Sequence, residues 1–136
     1  MAGNARKPAV SVVIAYLSAH LAVPVFDRVP MDRPESYVLV RRVGGVRINA
    51  VTDGPWVLCE CVAPVSAETL AMRVADLLEA APGEYVAYLN DDMTTAQAWI
   101  ASYAEVGAPA QNPDEDLQPE YDRWTLTAQL GISSHI

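Results

Sequence analysis

The stretch IASYAEVGAPAQNPDEDLQPEYDRWTLTAQLGI, residues 100–132, decides the fold of this chain. It predicts a strand, a polar loop and a second strand whose side chains alternate strictly between two faces. The loop, residues 107–119, is too long for a tight turn and too polar to be buried, and a small domain usually keeps such a loop for contact with a partner. The apolar face of the second strand consists of Trp124, Leu126, Ala128, Leu130 and Ile132, and its polar face of Arg123, Thr125, Thr127 and Gln129.

Two amphipathic segments outside this stretch predict helices. Residues 8–21 have an apolar stripe and a proline in the first turn, and Pro24 prevents continuation. Residues 66–80 have Ser66 as the expected N-cap and Glu68 in the first turn, where the helix dipole favours a carboxylate. The stripe of this second helix consists of Leu70, Val74, Leu77 and Leu78.

Short β-type runs occupy most of the remaining chain. They predict a single domain, residues 1–136, of the α+β class, in which two helices pack on one face of a mainly antiparallel β-sheet. We expect a polar connection over residues 90–95, with a helical start at residue 95 as the alternative to strand. The expected extended segments are residues 23–29, 36–43, 46–52, 56–63, 84–89 and 99–106.

The Gly44-Gly45 pair predicts a tight hairpin between residues 36–43 and 46–52, because glycine adopts positive φ freely. That turn would place Arg42 opposite Arg47, which costs a few tenths of a kcal/mol unless an anion lies between them. The two arginines are interpreted either as solvated side chains over an exposed sheet or as a contact for acidic groups of a partner. The predicted core face is Tyr37, Leu39, Arg41, Val43, Val46 and Ile48, and the opposite face is Val38, Val40, Arg42, Arg47, Asn49 and Val51.

Length and charge limit the classes of function. A chain of 136 residues with 51% hydrophobic residues buries roughly two-thirds of its unfolded surface in one core. The net charge of −8 argues against nucleic acid and anionic membranes as main partners, because phosphate binding needs a basic surface. The apolar stretch 10–23 follows Arg6 and Lys7 like a signal peptide, but its helical periodicity favours an ordinary amphipathic helix and synthesis in the cytoplasm.

Residues able to carry metal or catalytic chemistry are few. Cys59 and Cys61 lie on one face of a strand, and zinc would need His20 and His135 as further ligands, so two buried free thiols are expected. No histidine has a nucleophile beside it in the sequence, and no glycine-rich phosphate loop occurs. We therefore expect no enzymatic activity, no cofactor and no bound metal.

Two acidic clusters remain. Asp91-Asp92 and Asp114-Glu115-Asp116 lack the alternate spacing of a calcium loop, and solvated acidic turns are the simplest interpretation. The alternative is that these carboxylates bind arginines of a neighbouring copy of the chain.

Three segments resemble one known group of proteins: VPVFDRVPMDRPESYVLVRRVGG (residues 23–45), SAETLAMRVADLLEAAP (66–82) and YAEVGAPAQNPDEDLQPEYDRWTLTAQLGI (103–132). Their sequence and order are similar to the tail terminator proteins of long-tailed, siphovirus-type bacteriophages, especially those of actinobacterial hosts. The resemblance covers nearly the whole chain. The segment EYVAYLNDDMTTAQAWI (84–100) is longer than in the simplest members.

The resemblance implies a structural virion protein at the head–tail interface. Such a protein forms a six-membered ring on the head-proximal end of a completed tail tube, stops tube polymerisation and joins the head connector. Its implied partners are copies of itself, the major tail tube protein and a head-completion or connector protein. DNA would pass through the lumen without sequence-specific binding, and no membrane is involved.

Ring closure needs a heterologous interface, in which two different surfaces of each subunit meet. The expected interface residues, either between subunits or between ring and tube, are Arg42 and Arg47 on one side and Asp114, Glu115 and Asp116 on the other. Two other classes of function stay open: another head–tail joining or tail completion protein, and a small cytosolic α+β domain that binds a ligand or acts as an enzyme.

Overall fold

The computed structural model describes residues 5–117 and 120–134. Within them the chain forms two helices and seven strands. In chain order these are α1 Ala9–Ser18, β1 Val25–Phe26, β2 Tyr37–Gly44, β3 Thr52–Asp53, β4 Trp56–Pro64, α2 Glu68–Glu79, β5 Tyr85–Leu89, β6 Thr95–Gln111 and β7 Tyr121–Ser133.

One sheet contains all the described strands, in the order β1-β2-β4-β7-β6-β5, and β3 pairs with the C-terminal end of β7. All neighbouring strands are antiparallel except β1 and β2, which are parallel. Both helices pack into the same core, which confirms the predicted α+β class.

The core lies between the helices and one face of the sheet, called the inner face. The alternation predicted for residues 124–132 is confirmed, because Leu126, Ala128, Leu130 and Ile132 are buried there and Trp124 packs against them. Directly paired residues point to the same face of a sheet, so β4 adds Val57, Cys59 and Cys61 to this core.

The sheet curls around α1. This helix contacts β1 and β2 near one edge of the sheet and β5 at the other. It buries Val12, Val13 and Leu17, and the Tyr16 hydroxyl donates a hydrogen bond to the Leu77 carbonyl of α2 at 2.5 Å. Among the described helices, α2 is the longest at 12 residues, and none is long and apolar enough to cross a membrane.

The start of α2 differs from the prediction. Ala67, not Ser66, is the N-cap residue, and its amide donates to the Asp122 carboxylate of β7 at 2.9 Å. The Ser66 hydroxyl instead accepts the Glu68 amide at 3.3 Å. The helix is therefore anchored by a contact between residues distant in sequence, which local capping rules could not indicate.

The predicted hairpin at Gly44-Gly45 is wrong. β2 pairs with β4, so Arg42 lies opposite Val57 and not opposite Arg47. The chain turns away at Gly45, where φ is +97° and an added Cβ would lie 2.1 Å from the Gly54 carbonyl oxygen. β4 offers β2 a longer apolar partner than residues 46–52 could, and of that predicted strand only Thr52 belongs to a strand, β3.

The predicted faces of β2 are therefore inverted. Val38 and Val40 are fully buried in the inner core, whereas Tyr37 and Leu39 point to the opposite, outer face. There they lie beside the segment after β1, and the Phe26 ring stacks on Tyr37 with centroids 5.3 Å apart. Three residues assigned to the core are instead exposed at 49%, 77% and 51%: Val43, Val46 and Ile48.

β6 is longer than predicted at both ends. It begins at Thr95 and continues to Gln111, so the first residues of the expected loop 107–119 are strand. Its register with β7 shifts three times: between Ile100 and Ser102, between Glu105 and Gly107, and between Gly107 and Ala110. Such bulges remove the strict alternation by which a strand is recognised in sequence.

Candidate interaction surfaces

Arg42, an expected interface residue, is held inside its own chain. Its Nη1 and Nη2 donate to the two carboxylate oxygens of Asp53 at 2.6 and 3.1 Å, and Arg6 Nε adds a third bond at 3.1 Å. The Asp53 side chain is only 1% exposed. Burial raises the pKa of Asp53, but the hydrogen bonds from Arg42 and Arg6 outweigh it and hold the pKa below its ordinary value. Arg42 thus ties the chain after β2 to β3.

Arg47 lies in a different environment, on the segment between Gly45 and β3. Its Nη1 donates to the Ala50 carbonyl at 3.1 Å. The neighbouring surface is apolar, with Trp56 41% exposed where it pairs opposite Gly44. We call this region the basic surface; it consists of Val43, Val46, Arg47, Ile48 and Trp56.

The acidic loop at Asp114, Glu115 and Asp116 is exposed, as predicted. Asp114 organises a turn, since its carboxylate accepts the Asp116 amide at 3.0 Å. The loop follows the pair Gln111–Trp124, whereas the segment carrying Arg47 leads to the pair Thr52–Ser133. From residue 124 to 133 the strand spans about 30 Å. The structure therefore does not bring the two predicted interface groups together within one chain.

A charged cleft on the outer face was missed by sequence reasoning. Glu60 of β4 is 8% exposed and forms ion pairs with Arg123 and with Arg41, whose Nε lies 3.1 Å from Glu60 Oε2. The cleft encloses about 130 Å³, and Arg33, Asp114 and Asp116 also line it. A single carboxylate within an otherwise apolar strand is the signal in the sequence that could have indicated it.

The β5 edge of the sheet exposes a group of acidic and apolar side chains. On β5, Tyr85 and Leu89 are 50% and 53% exposed, and Met93 in the following turn is 72% exposed. Asp92 accepts the Thr94 hydroxyl and amide, and these hydrogen bonds lower the pKa of Asp92. We call this region the acidic surface; it consists of Tyr85, Leu89, Asp91, Asp92 and Met93.

An apolar cleft of about 480 Å³ adjoins the acidic surface. It lies between α1 and β5, at the open edge of the sheet. Its lining residues are Ser11, Ile14, Ala15, Ala87, Tyr88, Leu89 and Thr95.

The charges of the chain are divided unequally along the sequence. Residues 74–122, which include β5 and β6, contain eleven Asp or Glu and no Lys or Arg. Residues 1–73, which include β1, β2 and β4, contain eight basic and six acidic residues. Counting charge by segment would have shown this asymmetry from the sequence.

The two cysteines are buried free thiols, as expected. Burial raises the pKa of Cys59 strongly and that of Cys61 to about 12, so both stay protonated at neutral pH. His20 packs its ring against Tyr16, with centroids 4.9 Å apart, and His135 lies outside the described residues. Within residues 5–117 and 120–134, no group of three potential ligands could hold a metal ion.

Comparison with known protein families and with curated protein sequences gave no match to this chain.

Proposed function

We propose that this chain is a structural subunit of the tail terminator type. Six copies form a ring on the head-proximal end of a phage tail tube, end tube polymerisation and provide the joint to the head connector. One observation carries the proposal: large apolar side chains are exposed on two separate surfaces of the domain, with charge of opposite sign beside them.

Exposed apolar residues of this size favour association. Val46 and Met93, on the basic and acidic surfaces, are 77% and 72% exposed. Apolar side chains grouped with charges at their rim are typical of protein–protein interfaces. Because the two surfaces differ, contact between them is heterologous, and repeated heterologous contacts close into a ring when the rotation fits.

The two ends of the sheet also differ, as a joint between two partners requires. The acidic loop lies at one end of β7, and β3 pairs with the other end, at Ile132 and Ser133. In a ring with its axis along the strands, the two ends face the tube and the connector. The acidic loop then belongs to one of these axial contacts, which corresponds to the ring–tube alternative for Asp114, Glu115 and Asp116 and not to the subunit–subunit alternative.

The role of Arg42 in assembly is indirect under this proposal. Charge reversal at Arg42 would place a carboxylate against the buried Asp53 and destabilise the monomer. Arg47 is therefore the better residue for testing assembly. The net charge of −8 repels DNA and suits passage of the genome through a lumen without binding.

The test is capping of tail tubes. The purified chain is added to polymerising tail tube protein from the same phage, and the products are imaged by electron microscopy. We expect shorter tubes that carry a ring at one end, and light scattering that gives the mass of six copies at high concentration. Tubes that grow unchanged with bare ends would refute the proposal, and binding to the connector alone would identify a head-completion protein instead.

A further inference from the structure

We propose that the acidic surface of one copy docks on the basic surface of the next, so that Asp91 faces Arg47. This pairing rests on the proposed ring and names the surfaces that close it. It replaces the expected pairing of Arg47 with the acidic loop at Asp114, Glu115 and Asp116.

Charge complementarity supports a second copy as the occupant. The acidic surface belongs to the segment 74–122, which has eleven carboxylates and no basic side chain of its own. Every Lys and Arg except Arg123 lies in residues 1–73, on the helical and β1–β2–β4 part of the fold. Each chain thus carries both halves of a charge-complementary contact, which favours head-to-tail association and opposes contact between identical edges.

The strand pairing places the two surfaces on opposite sides of β7. Trp56 lies opposite Gln129, and Thr52 opposite Ser133, so the basic surface is at the Ser133 end of β7. Trp99 also lies opposite Ser133, and the turn after Leu89 lies beyond it at the same end. Both surfaces therefore lie toward the Ser133 end of β7, on opposite sides of this strand, with the acidic surface extending further beyond Ser133.

A rotation about an axis along the strands brings these two sides together in neighbouring copies. β2 and β5 are separated by β4, β7 and β6, so in each copy three strands lie between the strand next to the basic surface and the strand that carries the acidic surface.

Apolar groups supply the centre of the contact. Leu89 and Met93 on one side meet Val46 and Trp56 on the other, and all four are more than 40% exposed. Tryptophan is enriched among the residues that dominate interface energies. The 480 Å³ cleft beside Leu89 has room for an apolar side chain of the neighbouring copy.

The test is a charge swap measured by analytical ultracentrifugation. Arg47→Glu and Asp91→Arg each place like charges at the contact, and we expect each variant alone to associate at least about tenfold more weakly than the wild type. An equimolar mixture should regain much of the association, because the altered acidic surface of one variant matches the altered basic surface of the other. A mixture no better than either variant alone would overturn the pairing.

Two further variants make the result specific. Leu89→Asp tests the apolar contact at a position that is 53% exposed, and we expect it to weaken association without unfolding the domain. The matched control is Asp114→Arg/Asp116→Arg, which adds the same kind of charge at the far end and should leave subunit association unchanged. Loss of association in this control, with no effect of Asp91→Arg, would restore the loop as the partner. Thermal melting of each variant verifies folding.

The outcomes separate this pairing from the proposed function. A wild type that caps tubes while Asp91→Arg assembles normally refutes the pairing and leaves the terminator role standing. A successful charge swap in a protein that does not bind tubes refutes the terminator role and leaves the pairing standing. A wild-type monomer at every concentration overturns the pairing.

Discussion

Replacement of the buried Asp53 carboxylate should destabilise the monomer more than any substitution on its surface. The Asp53 side chain is 1% exposed, and its oxygens accept bonds from Arg42, 28% exposed, and Arg6, 50% exposed. Asp53→Ala removes the anion and leaves Arg42 partly buried without its partner. The loss also frees the chain between β2 and β3, because that carboxylate is what ties the two together.

The expected cost follows from burial. Removing one member of a buried ion pair costs about 3–5 kcal/mol. Because Arg42 keeps some contact with water, we expect the lower limit, about 3 kcal/mol. In a domain of this size that lowers the melting temperature by about 10 °C.

Urea unfolding of the wild type, Asp53→Ala, Arg42→Met and the double variant measures this cost and the coupling between the two side chains. We expect a coupling free energy of about 2 kcal/mol. Arg6→Met is the matched control, since a half-exposed arginine should contribute less than about 1 kcal/mol. A cost below about 1 kcal/mol for Asp53→Ala, or additive single variants, would refute the reasoning.

The same variant predicts a change in acid stability. The pKa of Asp53 is lower in the folded chain than its ordinary value of 3.8, so the unfolded chain binds the proton more tightly. The stabilisation is therefore complete above that ordinary pKa and is lost as the pH falls through the folded pKa. Wild-type stability should decline more steeply than that of Asp53→Ala below about pH 4. Parallel acid denaturation curves would contradict this assignment.

Three further predictions concern backbone and thiols. Gly45→Ala should destabilise the fold by more than about 2 kcal/mol in urea unfolding, because the new Cβ would overlap a backbone carbonyl, whereas Gly83→Ala, with φ of +94° but open space, should cost only about 1 kcal/mol. Val65→Gly should raise the melting temperature by a few degrees, since a β-branched residue held at φ +68° is strained by about 1–2 kcal/mol and its side chain is 90% exposed; an unchanged or lower value would contradict that strain. The Cys59 and Cys61 thiols should react with a thiol reagent at pH 8 only after unfolding, and labelling of the folded protein at the rate of the denatured chain would show that they are accessible.

The long periodic elements were predictable because one face of each is covered and the other is not. The alternation of residues 124–132 gave the inner face of β7 correctly, and α2 was located to within two residues at its start and one at its end. Both readings depend on contrast between apolar and polar positions, which those segments retain.

β2 lacks that contrast. Tyr37, Val38, Leu39 and Val40 are all buried, because the helices cover the inner face and the segment after β1, with the acidic loop, covers the outer face. In a strand buried on both faces the side chains of both faces are apolar, so the sequence does not show which face points to the core. The assignment of the faces of β2 therefore depended on the predicted Gly-Gly turn. That turn was overridden by pairing with β4, a contact that local turn preference does not encode.

The candidate surfaces were only partly predictable for a related reason. Arg47 and the acidic loop were recognised by charge and exposure, but the partner of Arg42, eleven residues away, depends on how the chain turns after Gly45. The acidic surface was present in the sequence as Asp91 and Asp92. Its role as a candidate contact could be inferred only from the sheet order, which places β5 at the edge opposite β1 and β2, the strand that carries Arg41 and Arg42.

The position of β7 has a consequence for biosynthesis. It is the latest strand of the sheet to be synthesised, yet it lies in the middle, where it pairs with β3, β4 and β6. Until β7 emerges, β4 and the β5–β6 pair have no common partner and their backbone edges are open to other chains. Such distant pairings are slow to form. A nascent chain on a crowded polysome therefore passes through an aggregation-prone stage just before its sheet is completed. Premature termination within residues 112–120 would release a chain without β7, whose two groups of strands are not joined into one sheet, and such a chain is a substrate for the quality-control proteases of the cell.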